Sequence, residues 1–153
     1  MTEELRCYTF TLYQLSSIQQ GIQAGHAAVE LGMKAHTRLI RNLNGDHWAA
    51  YHEWATHHKT MVLLNGGDLN ELCELRNFLG SENNKFPWAP FYESADSLGG
   101  LLTSIAVILP ARIFELASNM RRAPEAYTGQ LLATCSFWEV GMIERLNAAG
   151  LAR

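Results

Sequence analysis

The chain of 153 residues is poor in several things, and each shortage narrows its chemistry. Cysteine is limited to Cys7, Cys73 and Cys135. They are far apart, odd in number and never in a C-x-x-C pair, which argues against a zinc knuckle or a disulfide framework and leaves reduced, buried thiols as the expectation. A basic excess is missing too. The net charge of −3 argues against a surface that holds long nucleic acid through phosphate contacts, while leaving room for a local basic pocket. No apolar run reaches membrane-spanning length. The stretch MTEELRCYTF lacks a basic region followed by an apolar run, so neither a signal peptide nor a membrane partner is expected, and a cytoplasmic location is. Neither H-E-x-x-H, nor a Gly-rich phosphate loop, nor a nucleophile elbow occurs. No metal or other cofactor is therefore expected.

What is present is an apolar fraction of 48% against 18% charged residues, the balance of one globular domain with a real core. RCYTFTLYQL alternates aromatic and β-branched residues and predicts a first strand. Arg6, Tyr8, Phe10 and Leu12 fall in one phase, and Cys7, Thr9, Thr11 and Tyr13 in the other. Ser16 or Ser17 then caps a helix running to about Asn42, where NLNGD supplies a stop; Ser17 with Gln20 has capping-box spacing. GDHWAAYHEWATHH predicts a second helix with Asp46 as its cap and Trp48, Tyr51 and Trp54 at helical spacing. KTMVLLN is too short for a helix and reads as a buried strand. GGDLNELCELRNFLG gives a third helix, capped by Asp68 and stopped at Gly80. SENNKFPWAP reads as a loop, FYES as a third strand and LLTSIAVILP as a fourth. ARIFELASNM is a short helix broken by RRAPEAYTGQ, and LLATCSFWEVGMIERLNAAG a C-terminal one. Strands alternating with helices predict an α/β fold, a single three-layer domain with a four-stranded mixed sheet flanked by helices. Residues 125–153 form a helical extension packed on the sheet or on a partner.

The first helix, SSIQQGIQAGHAAVELG, is unusual. On a wheel of about 100° per residue, Ile18, Ile22, Val29 and Met33 form an apolar edge. Gly21, Gly25, Ala28 and Gly32 form a small edge, and Gln19, Gln23, His26 and Glu30 a polar one. Each interior glycine costs about 1 kcal/mol relative to alanine, so the small edge implies a close approach, with packing on the sheet as the favoured reason. The polar edge stands at a helix start, beside free backbone amides and the positive dipole end, which favour phosphate or carboxylate. Glutamine can donate and accept, and histidine can bond or exchange a proton near neutral pH. Gln19, Gln23 and His26 are thus candidate ligand contacts, with a solvated face as the plain alternative.

IQQGIQAGHAAVELG resembles the first helix of the type-2 peptidyl-tRNA hydrolases, whose motif runs roughly G-K-x-A-A-Q-x-x-H-A-A. Gln23, His26, Ala27 and Ala28 carry the match. YHEWATHHKTMVLLN is similar to the family's next block through Trp54 and Lys59, and the likeness extends in character to LLTSIAVIL. It implies the same four-stranded mixed sheet and a cleft that takes the 3′ end of tRNA. The family's catalytic lysine falls on Gln19. Its acidic D-x-G-x-T block falls near Glu93 in ESADS, with Ser97 at the threonine and Asp96 as a rival for the acid. The resemblance therefore implies Glu93, Asp96 and His26 as candidate catalytic residues, and Gln19, Gln23, His26, Tyr13, Lys59 and Ser97 as candidate ligand-binding residues. Glutamine in place of lysine exchanges a fixed charge for a dipole, which removes a holder for phosphate or oxyanion.

Other features carry less. His52, His57 and His58 cluster around Glu53, with His47 upstream, but lack metal-site spacing, and Glu53 with His57 is equally an i, i+4 surface pair. Arg121 and Arg122 are basic points better read as solvated charge. Trp88 could stack on a base. The expectation is a protein that binds and sequesters, or hydrolyses, a nucleotide-bearing small molecule, any hydrolysis being metal-independent. A divergent peptidyl-tRNA hydrolase is the alternative. The third reading is a non-catalytic homodimer joined by its aromatic C-terminal helix.

Overall fold

The computed structural model describes residues 3–41 and 48–151. Its order is β1 (Leu5–Thr11), α1 (Ser17–Ile40), α2 (Ala49–Glu53, continued by a π-helical turn Trp54–His58), β2 (Met61–Asn65) and α3 (Leu69–Leu79). There follow β3 (Trp88–Tyr92), α4 (Ala95–Leu98), β4 (Leu102–Pro110), α5 (Ala111–Arg122), α6 (Pro124–Thr134) and α7 (Phe137–Ala148). The sheet order is β2-β1-β4-β3. β1 and β2 are parallel; β4 is antiparallel to β1 and to β3. The four-stranded mixed sheet is thus as expected. No helix among the described residues is long and apolar enough to cross a membrane.

Strand alternation builds three layers. Tyr8 and Phe10 of β1, with Ile105, Val107 and Leu109 of β4, turn to one face and join α3, α5, α6 and α7 in the larger core. Cys7, Ala106 and Ile108 turn to the other, where α1, Trp48 and Trp54 cover them. The two phases read in RCYTFTLYQL are these two faces.

The second face is lined by small or hydroxylated residues: Cys7, Thr9, Thr11, Ala89, Ser104 and Ala106 are all fully buried. A helix can approach such a surface closely only with a small face of its own. α1 does so with Ala24, Ala27 and Ala35, interleaved with Leu31 and the two buried glutamines Gln20 and Gln23. The wheel of the first helix therefore needs a correction. Its glycine edge does not pack on the sheet, since Gly21 and Gly25 have no heavy atom within 4 Å of a Cβ position. Gly32 alone meets a neighbour, the Tyr51 hydroxyl. The Ile18, Ile22, Val29, Met33 edge lies in solvent.

Several boundaries also move. The capping box closes one residue earlier than read: Gln19 N–H donates to Ser16 Oγ at 3.3 Å, and Ser16 N–H donates to Gln19 Oε1 at 3.1 Å. β3 begins at Trp88, inside the stretch read as a loop. Pro90 is tolerated there because β3 is an edge strand, where a missing N–H goes unclaimed. The stretch RRAPEAYTGQ interrupts the helix only at Ala123, and Pro124 starts α6 at the first helical position, where proline is favoured. The expected single C-terminal helix is two, divided at Cys135–Ser136 by a capping box between Ser136 and Glu139. Asp46, the stop at Asn42 and His47 lie outside the described residues.

The C-terminal region is packed on the chain's own core through Met142, Ile143 and Leu146, none of them accessible. Trp138 turns inward against Phe78, with ring centroids 5.1 Å apart. Of the aromatic pair on this helix, Trp138 is thereby buried within the chain and Phe137 is exposed.

Candidate site along the α1–β3 edge

The carboxyl end of β4 is continuous with its neighbours, but its amino end is irregular. Opposite Phe91 and Tyr92 of β3 stand Ser104 and Leu102, so Thr103 is an extra residue in the ladder. A bulge of this kind re-aims side chains. Leu102 joins the larger core, while Thr103 and Ser104 both reach Gln23 of α1. Thr103 Oγ1 donates to Gln23 Oε1 at 2.8 Å, and Ser104 Oγ donates to the Gln23 carbonyl at 2.6 Å. With its oxygen so fixed, the Gln23 amide points its Nε2 at Glu93 Oε1, 2.6 Å away.

Glu93 follows β3 and gathers further donors. Ser97 Oγ reaches its Oε2 at 2.9 Å and the Ser94 N–H at 3.3 Å. The Gln23 and Ser97 hydrogen bonds, the Ser94 amide and the charge of nearby His26 hold this carboxyl below its ordinary value. Glu93 is thus an ionised acceptor already served by three donors, and so a weak base. His26 stacks on Phe91 with centroids 4.6 Å apart. Of the residues named from the sequence, Gln23, His26, Glu93 and Ser97 are brought together at this end.

The others go elsewhere. Asp96 sits in the exposed first turn of α4, and Glu93 takes the acid's place beside Gln23. Gln19 spends its side-chain carbonyl on the α1 cap. Tyr13 bonds through its N–H to the Gly67 carbonyl and lines a separate cavity of about 500 Å³ with Phe10, Asn65 and Arg145, on the α3 and α7 side of the sheet. Lys59 stands before β2, whose Met61 is level with Cys7 near the start of β1, at the sheet end opposite Gln23. It has a left-handed φ of 56° because its N–H closes the π-helical turn on the Trp54 carbonyl. Around Glu53, His57 is an ion-pair partner at 3.3 Å, and His58 Nδ1 accepts the Leu5 N–H. Among the described residues, no group of three or more His, Cys, Asp or Glu is placed to hold a metal ion.

Along the same edge, α1 and β3 run in opposite directions. Lys34 lies about 16 Å beyond Gln23 at 1.5 Å per residue, and Trp88 lies about 17 Å from Glu93 at strand rise. The two meet there: Lys34 Nζ is 4.8 Å from the Trp88 ring centre and 3.4 Å from its carbonyl. One turn further, Arg38 lies 5.4 Å over the ring of Trp48. These residues and Arg41 line a cavity of about 500 Å³ whose one carboxylate among the described residues is Glu30. Burial, with the charge of Arg38, lowers the Lys34 pKa against the opposing pull of Glu30. Three cations interleaved with two tryptophans suit an aromatic anion, since the rings can stack and the cations can meet phosphate.

Sequence reasoning reached Trp88 alone of this group. The signal for the rest was the i, i+4 spacing of Glu30, Lys34 and Arg38, which continues the polar edge through one more turn. Neither cavity borders the Gln23–Glu93 contact, which closes one end of the edge as a hydrogen-bonded wall. Set beside models of known protein families and beside curated proteins, the chain matches none.

Proposed function

We propose that the chain holds a nucleotide-bearing ligand along the α1–β3 edge without cleaving it. The observation that carries this reading is the cavity at Lys34, Arg38, Trp48 and Trp88, where cations and tryptophans alternate. A base on Trp88 and a phosphate on Lys34 and Arg38 would answer both chemistries in one ligand. The His26–Phe91 pair and the Gln23–Glu93 wall lie on the path toward the other end, for any group the nucleotide bears.

The same geometry disfavours cleavage. Hydrolysis of an ester needs a base for water and a positive or multiply donating group for the oxyanion. Glu93 is held ionised by three donors, and the place of a lysine is taken by Gln19, whose carbonyl serves the helix cap. The connected set Gln23, Glu93, Ser97 and Thr103 is nonetheless what favours the second reading, a divergent peptidyl-tRNA hydrolase.

One experiment separates the two. The protein is incubated with a panel of mono- and dinucleotides and, separately, with peptidyl-tRNA; bound and free species are identified by mass spectrometry after denaturation. Recovery of an intact nucleotide, lost in Lys34→Met, supports holding. Release of peptide from tRNA, lost in Glu93→Gln, would replace the proposal with the hydrolase. No retained nucleotide and no ester release sinks both.

A further inference from the structure

Helix α1 has a second face that no part of the described chain covers. Diametrically opposite its buried alanines, Ile18, Ile22, Val29 and Met33 are 77, 52, 64 and 56% exposed. Among them, Gly21 and Gly25 leave open space where a Cβ would stand. Two glycines weaken a helix interior, and nothing among the described residues uses the room they make. A helix apolar on both faces is one that is covered on both sides.

We propose that the cover is a second copy of this chain, α1 lying antiparallel on α1 about a two-fold axis at Gly25. That axis sets Gly25 against Gly25, Val29 against Gly21, and Ile22 against Ala28. Each large side chain then meets a small residue of the other protomer, and the same patch serves both, as an isologous contact requires. The antiparallel arrangement also sets the two helix dipoles in their favourable sense.

The occupant is argued from two further features. First, the residues of the strip, Ile18, Gly21, Ile22, Gly25, Val29 and Met33, include no charged side chain, so nothing repels an identical surface, and nothing on it selects a charged partner. Second, the area is sufficient. The four exposed side chains present roughly 400 Å² per protomer, and with the glycine backbone and polar rim the pair would bury about 1,000 Å², the lower bound of specific interfaces. A dimer with a dissociation constant in the micromolar range is expected. Met33, at one edge of the strip, also lines the Lys34 cavity, while Lys34, Arg38, Trp48 and Trp88 lie outside the strip; sedimentation reads association alone, so this inference stands or falls independently of the ligand.

Sedimentation of the whole chain over a range of concentrations tests it. The wild type should pass from monomer to dimer. Gly25→Leu, which has free space in the monomer and a better helix former, should weaken association more than about tenfold. At dilutions where both are monomeric, its unfolding temperature should equal or exceed that of the wild type. Val29→Lys should weaken association likewise. A wild type that stays monomeric, with or without a foreign protein bound, overturns the proposal. So does a dimer that survives either substitution, or one lost only because the variant unfolds.

Discussion

Removing the Gln23 amide while keeping its volume, as in Gln23→Met, tests whether the network at the bulge is built as described. Gln23 is 7% exposed, and the Thr103 hydroxyl that donates to it is fully buried. The substitution strands that hydroxyl, which costs about 1–3 kcal/mol. The Ser104 bond survives, since it goes to the backbone carbonyl of residue 23. Glu93 adds nothing to the estimate, because its carboxylate is open to water and rehydrates. For a domain of this size, about 1–3 kcal/mol is a fall of roughly 3–9 °C in unfolding temperature. Thr103→Val should cost a similar amount by stranding Gln23 Oε1. The double variant removes both polar partners and should recover most of the loss, giving a coupling of about 1–2 kcal/mol in a double-mutant cycle. Urea unfolding of the four proteins measures it. Additive losses, or a Gln23→Met loss below about 0.5 kcal/mol, would refute the network. A stable double variant that no longer binds nucleotide would assign Gln23 to the ligand as well.

Three other outcomes follow from the geometry. Lys34→Met should weaken nucleotide binding about 10–100-fold by calorimetry. In the wild type the affinity should begin to fall at a pH below the ordinary lysine value of 10.5, because only the charged form meets phosphate and burial lowers its pKa. Glu93 has a folded pKa below the ordinary carboxyl value of 4.5, so the stability it contributes is present above that value and is lost as pH falls through the folded one. Glu93→Gln should therefore flatten the acid limb of a stability–pH curve below about pH 4.5 and leave it unchanged in shape near neutrality. Ser136→Ala removes the cap on Glu139 N–H and should cost about 1 kcal/mol, read as a fall of roughly 3 °C in unfolding temperature.

The sheet was legible because two-residue alternation in RCYTFTLYQL and the unbroken run LLTSIAVILP can be satisfied only by strands, and a parallel pair needs the helix between them. The faces of α1 were not. An apolar edge of isoleucines is the ordinary buried face of a helix, yet the sheet surface offered to α1 is made largely of threonine, serine, cysteine and alanine. A face rich in alanine, with Gln23 placed to meet the strand hydroxyls, packs there, so the partner surface decided what the helix wheel alone could not. The bulge at Thr103 lies equally beyond reading, since its sequence is that of a regular strand and only the register against β3 exposes it. Gln23 and Glu93, 70 positions apart, were paired through the family resemblance; that they touch depends on the bulge that orients Gln23.

On the proposed function, charge would decide between holding and cutting along this edge. Lys34, Arg38 and Arg41 stand at one end with Glu30 beside them, and Glu93, bonded to neutral donors with His26 nearby, stands at the other. A phosphate would be attracted to the first end, where three cations face one carboxylate, and repelled by Glu93 at the second, so a nucleotide held here would have one favoured orientation. Its reactive linkage would then lie between the ends, beside the His26–Phe91 stack, where among the described residues a histidine rather than a lysine or arginine stands to meet the charge that develops on an oxyanion. An enzyme that stabilised such a transition state would need the two charges interleaved at one point. Moving a lysine to the polar end, as in Gln19→Lys, would supply one there. Gain of ester release in that variant, with Glu93 intact, is the outcome expected if the missing charge alone separates this fold from catalysis; its absence would mean that the saturated carboxylate is the stronger block.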